Sequence, residues 1–238
     1  MSRLGPESTG RTRASIAALR PSEYTAALIQ MLRARDAHVR GANVLEIGSG
    51  SGVVLAALSE MGPASLSGID IESEAVVSGA LLLREFGRGD DVQFHHGDMW
   101  LPVGGRRFDL IAANLPHFPM EPAEFAGRLP SWSSGGPDGR GLLDRFLKDL
   151  AAHLAPGGRA VITHNAFVNL DRSRSMLEKS GLSLRIATTT LVYIPCEKLE
   201  RMTQSVLCAE AGRSIYRYGP YAFADMHVVE IAAPDTLG

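Results

Sequence analysis

From about residue 22 onward, short apolar runs alternate with amphipathic stretches, and this alternation limits the fold more than any other feature of the chain. "SEYTAALIQMLRAR" carries apolar residues at helical spacing behind Ser22, a residue suited to cap a helix. "NVLEIG" (43–48) reads as a strand running into glycines, and "VVLAALSEM" (53–61) as a helix. "SLSGIDI" (65–71) is a second strand, followed by a helix over "SEAVVSGALLLREF" (73–86). "DVQFHHGD" (91–98) and "RFDLIAAN" (107–114) are strands three and four. A helix over 140–158 ends at Pro-Gly-Gly, "RAVITHN" (159–165) is strand five, and a helix follows near 171–180. Two strands, "LSLRIATTTLVYIP" and "MHVVEIAAP", surround a helical insert near 196–211. Such a chain is expected to form a doubly wound, Rossmann-like α/β sheet with helices on both faces. It is mostly parallel, with an antiparallel strand expected near the C-terminus. Residues 1–18 read as a mobile tail, and 19–238 as one domain whose last strands and insert lie in 186–238.

In sheets of this kind, ligands bind beyond the carboxyl ends of the strands. That is where the unusual polar residues gather: glycines after strand one, then Asp70, Asp98, Asn114 and His164 at the ends of strands two to five. "VLEIGSGSG" places Gly48, Gly50 and Gly52 at alternating positions, allowing close backbone approach to a ligand; a tight packing turn is the plainer reading. The spacing differs from the G-x-G-x-x-G of a dinucleotide site. Asp70, about 20 residues further on, suits ribose hydroxyls, a device that NAD sites and S-adenosylmethionine sites share. Glu46, a carboxylate between Leu45 and Ile47, requires a partner or a ligand. Asp98 suits an adenine amino group with Met99 covering the ring, although Met99 serves equally as core filling.

Composition removes several function classes. The formal charge of −2 gives no global positive field to recruit nucleic acid. No apolar run approaches the roughly 20 residues of a spanning helix, and the N-terminal residues fit neither a signal nor a transit peptide. Two cysteines without metal-ligand spacing fit a reduced, cytoplasmic setting. No His, Asp or Glu cluster has metal spacing, and neither a P-loop nor Gly-x-Ser-x-Gly occurs.

Together, VLEIGSGSG, Asp70, Asp98 and Asn114-Leu115-Pro116-His117 resemble the class I S-adenosylmethionine-dependent methyltransferases. Within them, the chain looks most like the release-factor glutamine N-methyltransferase (HemK) family, which carries Asn-Pro-Pro-Tyr or a variant after strand four. "LRPSEYTAALI" (19–29) and "GGPDGRGLLDRFLKDLAAHLAPGG" (135–158) are similar to further segments of that family. The resemblance implies S-adenosyl-L-methionine as cofactor, held by Glu46, Gly48, Ser49, Gly50, Asp70, Ile71, Asp98, Met99 and Asn114. It implies catalysis at Asn114, Leu115, Pro116 and His117. The chain departs from the family at Leu115 and His117, and only about 18 residues precede the matching region, where the family has a helical domain.

That corner suits methylation of a nitrogen whose lone pair is delocalised. The Asn114 side-chain oxygen and the Leu115 carbonyl are expected to accept the two N–H bonds, with Pro116 keeping Leu115 out of helical geometry. His117 is expected either to stack on the acceptor or to take its proton near neutral pH. The acceptor is a small molecule, slightly favoured for want of the helical domain, or a protein side chain. A nucleic-acid amino-methylase and a noncatalytic S-adenosylmethionine-binding subunit are the alternatives, and homodimer pairing through 186–238 is left open.

Overall fold

The computed structural model describes residues 21–120 and 133–237, so the expected tail over 1–18 lies outside the described residues. Helix α1 (Glu23–Ala34) opens this part of the chain. Five parallel strands follow: β1 (Asn43–Ile47), β2 (Ser65–Asp70), β3 (Val92–His96), β4 (Phe108–Ala113) and β5 (Leu154–Asn165). Helices α2 (Val53–Ser59), α3 (Ser73–Glu85) and α4 (Gly141–His153) connect them. Then come α5 (Leu170–Glu178), β6 (Ser183–Ile194), α6 (Cys196–Leu199), α7 (Gln204–Glu210), β7 (Ile215–Tyr218) and β8 (Tyr221–Ala232). The sheet order is β3-β2-β1-β4-β5-β8-β6, with β7 paired to β8. β8 lies antiparallel between β5 and β6, which is the expected departure from an all-parallel sheet.

The order reverses direction at β1. Crossovers from β1 to β2 to β3 run one way along the sheet, and the crossover from β4 to β5 runs the other. With a common right hand, this places α2 and α3 on one face and α4 on the opposite one. β1 and β4, both almost wholly buried, therefore meet where the direction changes, and it is beyond the carboxyl ends of such a pair that sheets of this kind bind their ligands. Gly52 makes the turn into α2 with φ +79°, and a Cβ there would sit 2.7 Å from the Cα of Gly79 in α3. Glycine at this position allows the two helices to approach closely.

Two boundaries differ from expectation. The Pro156-Gly157-Gly158 stop belongs to β5 rather than to a helix end, because Leu154 already pairs with Phe108 before the register shifts to Arg159 opposite Leu110. A Cβ on Gly158 would press against the Phe108 carbonyl at 2.8 Å, so this stretch lies against β4. In addition, β8 begins at Tyr221, five residues earlier than its apolar run suggests, and forms a hairpin with β7. Its first residues alternate in exposure and lack the continuous apolar signal of a buried strand.

His164 faces the interior, fully buried, and does not join the polar groups at the strand ends. A directed chain of hydrogen bonds holds it: Arg140 Nη1 donates to Ser173 Oγ (2.6 Å), Ser173 donates to His164 Nε2 (2.8 Å), and His164 Nδ1 donates to the Asn165 carbonyl (2.8 Å). Burial pushes its pKa down to about 3. The unfolded chain therefore binds this proton more readily, so stability present above pH 6.5 is lost as the pH falls towards 3, by up to about 1.4 kcal/mol per unit. In urea denaturation between pH 4.5 and 7.5, His164→Gln is expected to be less stable at neutral pH but to lose less stability on acidification. Parallel pH profiles for the two proteins would refute this.

Candidate active site

The sequence-selected residues converge along one edge of the sheet, since β3, β2, β1 and β4 are adjacent, parallel and end together. Gly48 (φ +75°) and Gly50 (φ +50°) take the glycine loop through conformations that a side chain would oppose. The amides of Gly48 and Ser49 both donate to the Ile69 carbonyl (2.9 and 3.0 Å), tying the loop to the end of β2. Asp70 completes the attachment: its Oδ2 accepts the Gly50 amide at 2.8 Å and its Oδ1 accepts that of Glu72 at 2.9 Å. Asp70 thus shapes the loop as well as lying beside it. Burial raises its pKa, against the lowering effect of these two amides.

Glu46 lies within β1, 2% exposed, and its Oε2 has no hydrogen-bond partner. Burial, and then the nearby Asp70 carboxylate, push its pKa well up. Ser49 Oγ is likewise buried and unpartnered. Two carboxylates and an orphaned hydroxyl under a glycine loop suit a ligand that is cationic and rich in donors. Next to them Ile71 is 61% exposed, an apolar surface at the crevice mouth. Asp98 is instead turned to α4, where Arg145 pairs with it at 2.6 Å. Met99 is buried with φ 50°, a left-handed conformation costly for a residue with a side chain and frequent at functional turns.

The corner after β4 is held from two sides. Thr163 on β5 donates its hydroxyl to Asn114 Oδ1 at 2.7 Å, and Asn114 Nδ2 points at Thr25 Oγ1 in α1, 3.5 Å away. The carboxamide is therefore fixed in one sense, with one Oδ1 lone pair remaining. Gly48 packs against this corner, where a Cβ would contact Leu115 Cδ2 at 3.5 Å. The Leu115 carbonyl is not free as expected, because His117 Nδ1 donates to it at 2.5 Å. His117 is 3% exposed, edge-on to the Tyr24 ring at 5.8 Å, and its Nε2 has no partner. Burial lowers its pKa to about 4, against the raising effect of the Leu115 carbonyl. It is neutral at pH 7, and the expected titration near neutrality does not occur.

Several further residues support this corner from behind. Gly135 and Gly139 lie against the His117 backbone, where added Cβ atoms would sit 2.8 Å from its Cα and 2.7 Å from its carbonyl oxygen. Arg140, only 2% exposed, follows that loop; besides Ser173 its guanidinium donates to Asp144 and to the carbonyls of Val168 and Asn169. Tyr24 donates its hydroxyl to Asn165 Oδ1 (2.7 Å), and burial raises its pKa, so it stays protonated. Lys198 of α6 sits over the Phe118 ring, 4.1 Å from its centroid. Tyr24 and Thr25 lie in the stretch 19–29, and Gly135, Gly139 and Arg140 in the stretch 135–158, both singled out in the sequence; Thr163, Ser173 and Lys198 needed the tertiary fold to bring them here.

Residues 17–206 match the model of a methyltransferase domain. The chain belongs to the methyltransferase-domain family. It is similar to a proposed protein N5-glutamine methyltransferase of Methanocaldococcus jannaschii, 29% identical over 185 residues that cover 76% of this chain and 90% of that protein. It is also similar to a release factor glutamine methyltransferase of Gloeobacter violaceus, 30% identical over 127 residues, half of this chain and 44% of that one. The structure of the YcgJ protein from Bacillus subtilis superimposes with a TM-score of 0.59 over 87% of this chain and 98% of that one, at 17% identity.

The methyltransferase is S-adenosylmethionine-dependent, and the residues beyond β1 fit that molecule: Glu46 Oε2 and Ser49 Oγ are buried without partners, and Gly48 and Gly50 put no side chain in the way of a close approach. No group of three or more His, Cys, Asp or Glu among the described residues is placed to hold a metal, and no described helix is long and apolar enough to cross a membrane. Asp70→Ala removes the acceptor of the Gly50 and Glu72 amides at the end of β2, where the ribose of the cofactor is expected. Calorimetry is expected to show S-adenosylhomocysteine binding weakened about tenfold or more, with Asp70→Asn intermediate. Affinity unchanged in Asp70→Ala would place the ribose elsewhere.

Proposed function

We propose that this methyltransferase acts on a planar nitrogen, and that the acceptor is a side-chain carboxamide of a protein. The fixed Asn114 carboxamide at the end of β4 carries the reading. A carboxamide nitrogen is a poor nucleophile because its lone pair is delocalised, so what it requires is alignment. The remaining Oδ1 lone pair of Asn114 and the second lone pair of the Leu115 carbonyl suit its two N–H groups. Orientation of this kind can contribute roughly 7–11 kcal/mol to lowering a barrier.

When bound, S-adenosylmethionine supplies a methyl group on a cationic sulfur, an electrophile for that nitrogen. The nitrogen becomes strongly acidic as it gains the methyl group, and its proton must leave. His117 suits this step. Its Nδ1–H is committed to Leu115, so Nε2 presents a lone pair, and a pKa near 4 suffices against so strong an acid. Pro116 contributes no amide donor to compete for the acceptor oxygens.

The relatives support a protein acceptor over the small molecule favoured by the sequence reading. The chain spans most of the M. jannaschii protein, whose name specifies a protein glutamine, so a matching region of this length accords with a protein substrate. The charge of −2 weighs against nucleic acid. Residues 186–238, carrying α6 and α7, are the natural wall on the acceptor side, and the two unpaired cysteines accord with a cytoplasmic setting.

Labelled methyl transfer into separated protein, nucleic-acid and metabolite fractions is expected to mark protein, at an amide nitrogen. Asn114→Ala should lower the rate about 100-fold or more while changing S-adenosylhomocysteine affinity only a few-fold. Asn114→Asp should bind the cofactor at least comparably yet react more slowly, since its charge favours a cationic ground state over a transition state whose charge is dispersing. Normal turnover by Asn114→Ala would remove the proposed role of this corner.

A further inference from the structure

The C-terminal segment places one cation beside the acceptor corner that the chemistry above does not use. Lys198 lies on the short helix α6, and its ammonium sits over the face of Phe118, one residue beyond His117. The Phe118 ring in turn meets the edge of Tyr24 at 6.0 Å, and Tyr24 meets His117 at 5.8 Å. Lys198, Phe118, Tyr24 and His117 therefore form one continuous wall.

The ammonium is incompletely satisfied. Lys198 is half-buried, and among the described residues its three N–H donors form no hydrogen bond or ion pair with an oxygen. Glu23 and Glu197 are near enough to raise its pKa, yet burial outweighs them and lowers it. An aromatic face compensates an ammonium only partly for lost water, because it offers no acceptor to the N–H groups. The surrounding wall is neutral: Phe118 is apolar, Tyr24 is held protonated and His117 is uncharged at pH 7. Two polar atoms around the same Tyr24 ring are also buried without partners, His117 Nε2 and Asn165 Nδ2. Such a wall calls for a ligand that brings an anion to one end.

We propose that Lys198 reads a carboxylate carried by the methyl acceptor close to its planar nitrogen, making Lys198 a specificity residue of this active site. The inference rests on the carboxamide reading above and adds a charge requirement to it. The carboxylate has two sources: the α-carboxylate of a C-terminal glutamine, or an acidic side chain beside a glutamine within a protein. Both present the same group to the ammonium.

Binding to protein saturated with S-adenosylhomocysteine separates the two sources. One pair of probes is N-acetylglutamine and N-acetylglutaminamide; the other is the blocked peptides Gly-Gln-Asp-Gly and Gly-Gln-Asn-Gly. The acidic member of one pair is expected to bind about tenfold or more tightly, as one charge-assisted hydrogen bond would give. The preference should disappear in Lys198→Met and persist in Lys198→Arg, with S-adenosylhomocysteine affinity and melting temperature unchanged in both. The pair that shows the preference identifies the source. Equal or absent binding within both pairs, or a preference that survives Lys198→Met, overturns the assignment. The carboxamide reading is decided separately, by which fraction and which atom receive the label.

Discussion

The buried guanidinium of Arg140 is the constraint to which the acceptor side of this molecule answers. A charge with almost no access to water is tolerable only when its donors are met by protein oxygens. Here they are met by Asp144 on its own helix, by the Val168 and Asn169 carbonyls before α5, and by Ser173 within α5. One side chain thus joins α4, α5 and the end of β5. It also ends the glycine loop that lies against the His117 backbone, so the position of the corner depends on it indirectly. Its removal would strand several buried acceptors at once, a larger penalty than the loss of any single bond.

The cofactor side is organised in the opposite way. There the buried charges are acidic and left partly unmet: Glu46 has an oxygen with no partner, and both it and Asp70 hold their protons more tightly than usual. A buried carboxylate oxygen without a partner costs stability. A cationic ligand held there, as proposed for the cofactor, would couple stability to binding through the same groups. Behind the acceptor corner the buried charge of Arg140 is met by protein oxygens, whereas beneath the glycine loop Glu46 Oε2 and Ser49 Oγ are left without partners.

Much of this arrangement was legible in the sequence, for reasons that can be stated. Strand-helix alternation, glycine spacing and acids at strand ends are local signals, and the rules of parallel sheets turn them into neighbours. Asn114 could be placed because Pro116 marks the end of β4. What escaped was long-range. Thr163 is one polar residue among the apolar residues of β5, and nothing nearby says that its hydroxyl meets Asn114. Lys198 lies about 80 residues from Phe118 and reaches it only after the hairpin and helices of the last segment have folded back. The direction of His117 was also hidden: a histidine in a turn reads as exposed until its neighbours bury it, and burial takes its pKa out of the neutral range. His164 was misread for the same reason, since its position at a strand end gave no indication of which way it faced.

The antiparallel insertion of β8 has a consequence for how the protein is made. β3, β2, β1, β4 and β5 are adjacent in the sheet and all precede residue 166 in the chain. β6, twelve residues long, finds its sheet partner only in β8, which is synthesised later. During the intervening synthesis β5 keeps an open edge and β6 has no ladder to join. β6 is rich in β-branched residues, and such a strand beside an open edge is prone to pairing with the wrong chain. Lys198 travels in that late segment. In chain order the strands that carry Glu46, Asp70 and Asn114 come first, and the wall around Lys198 is complete only once the last strand enters between β5 and β6.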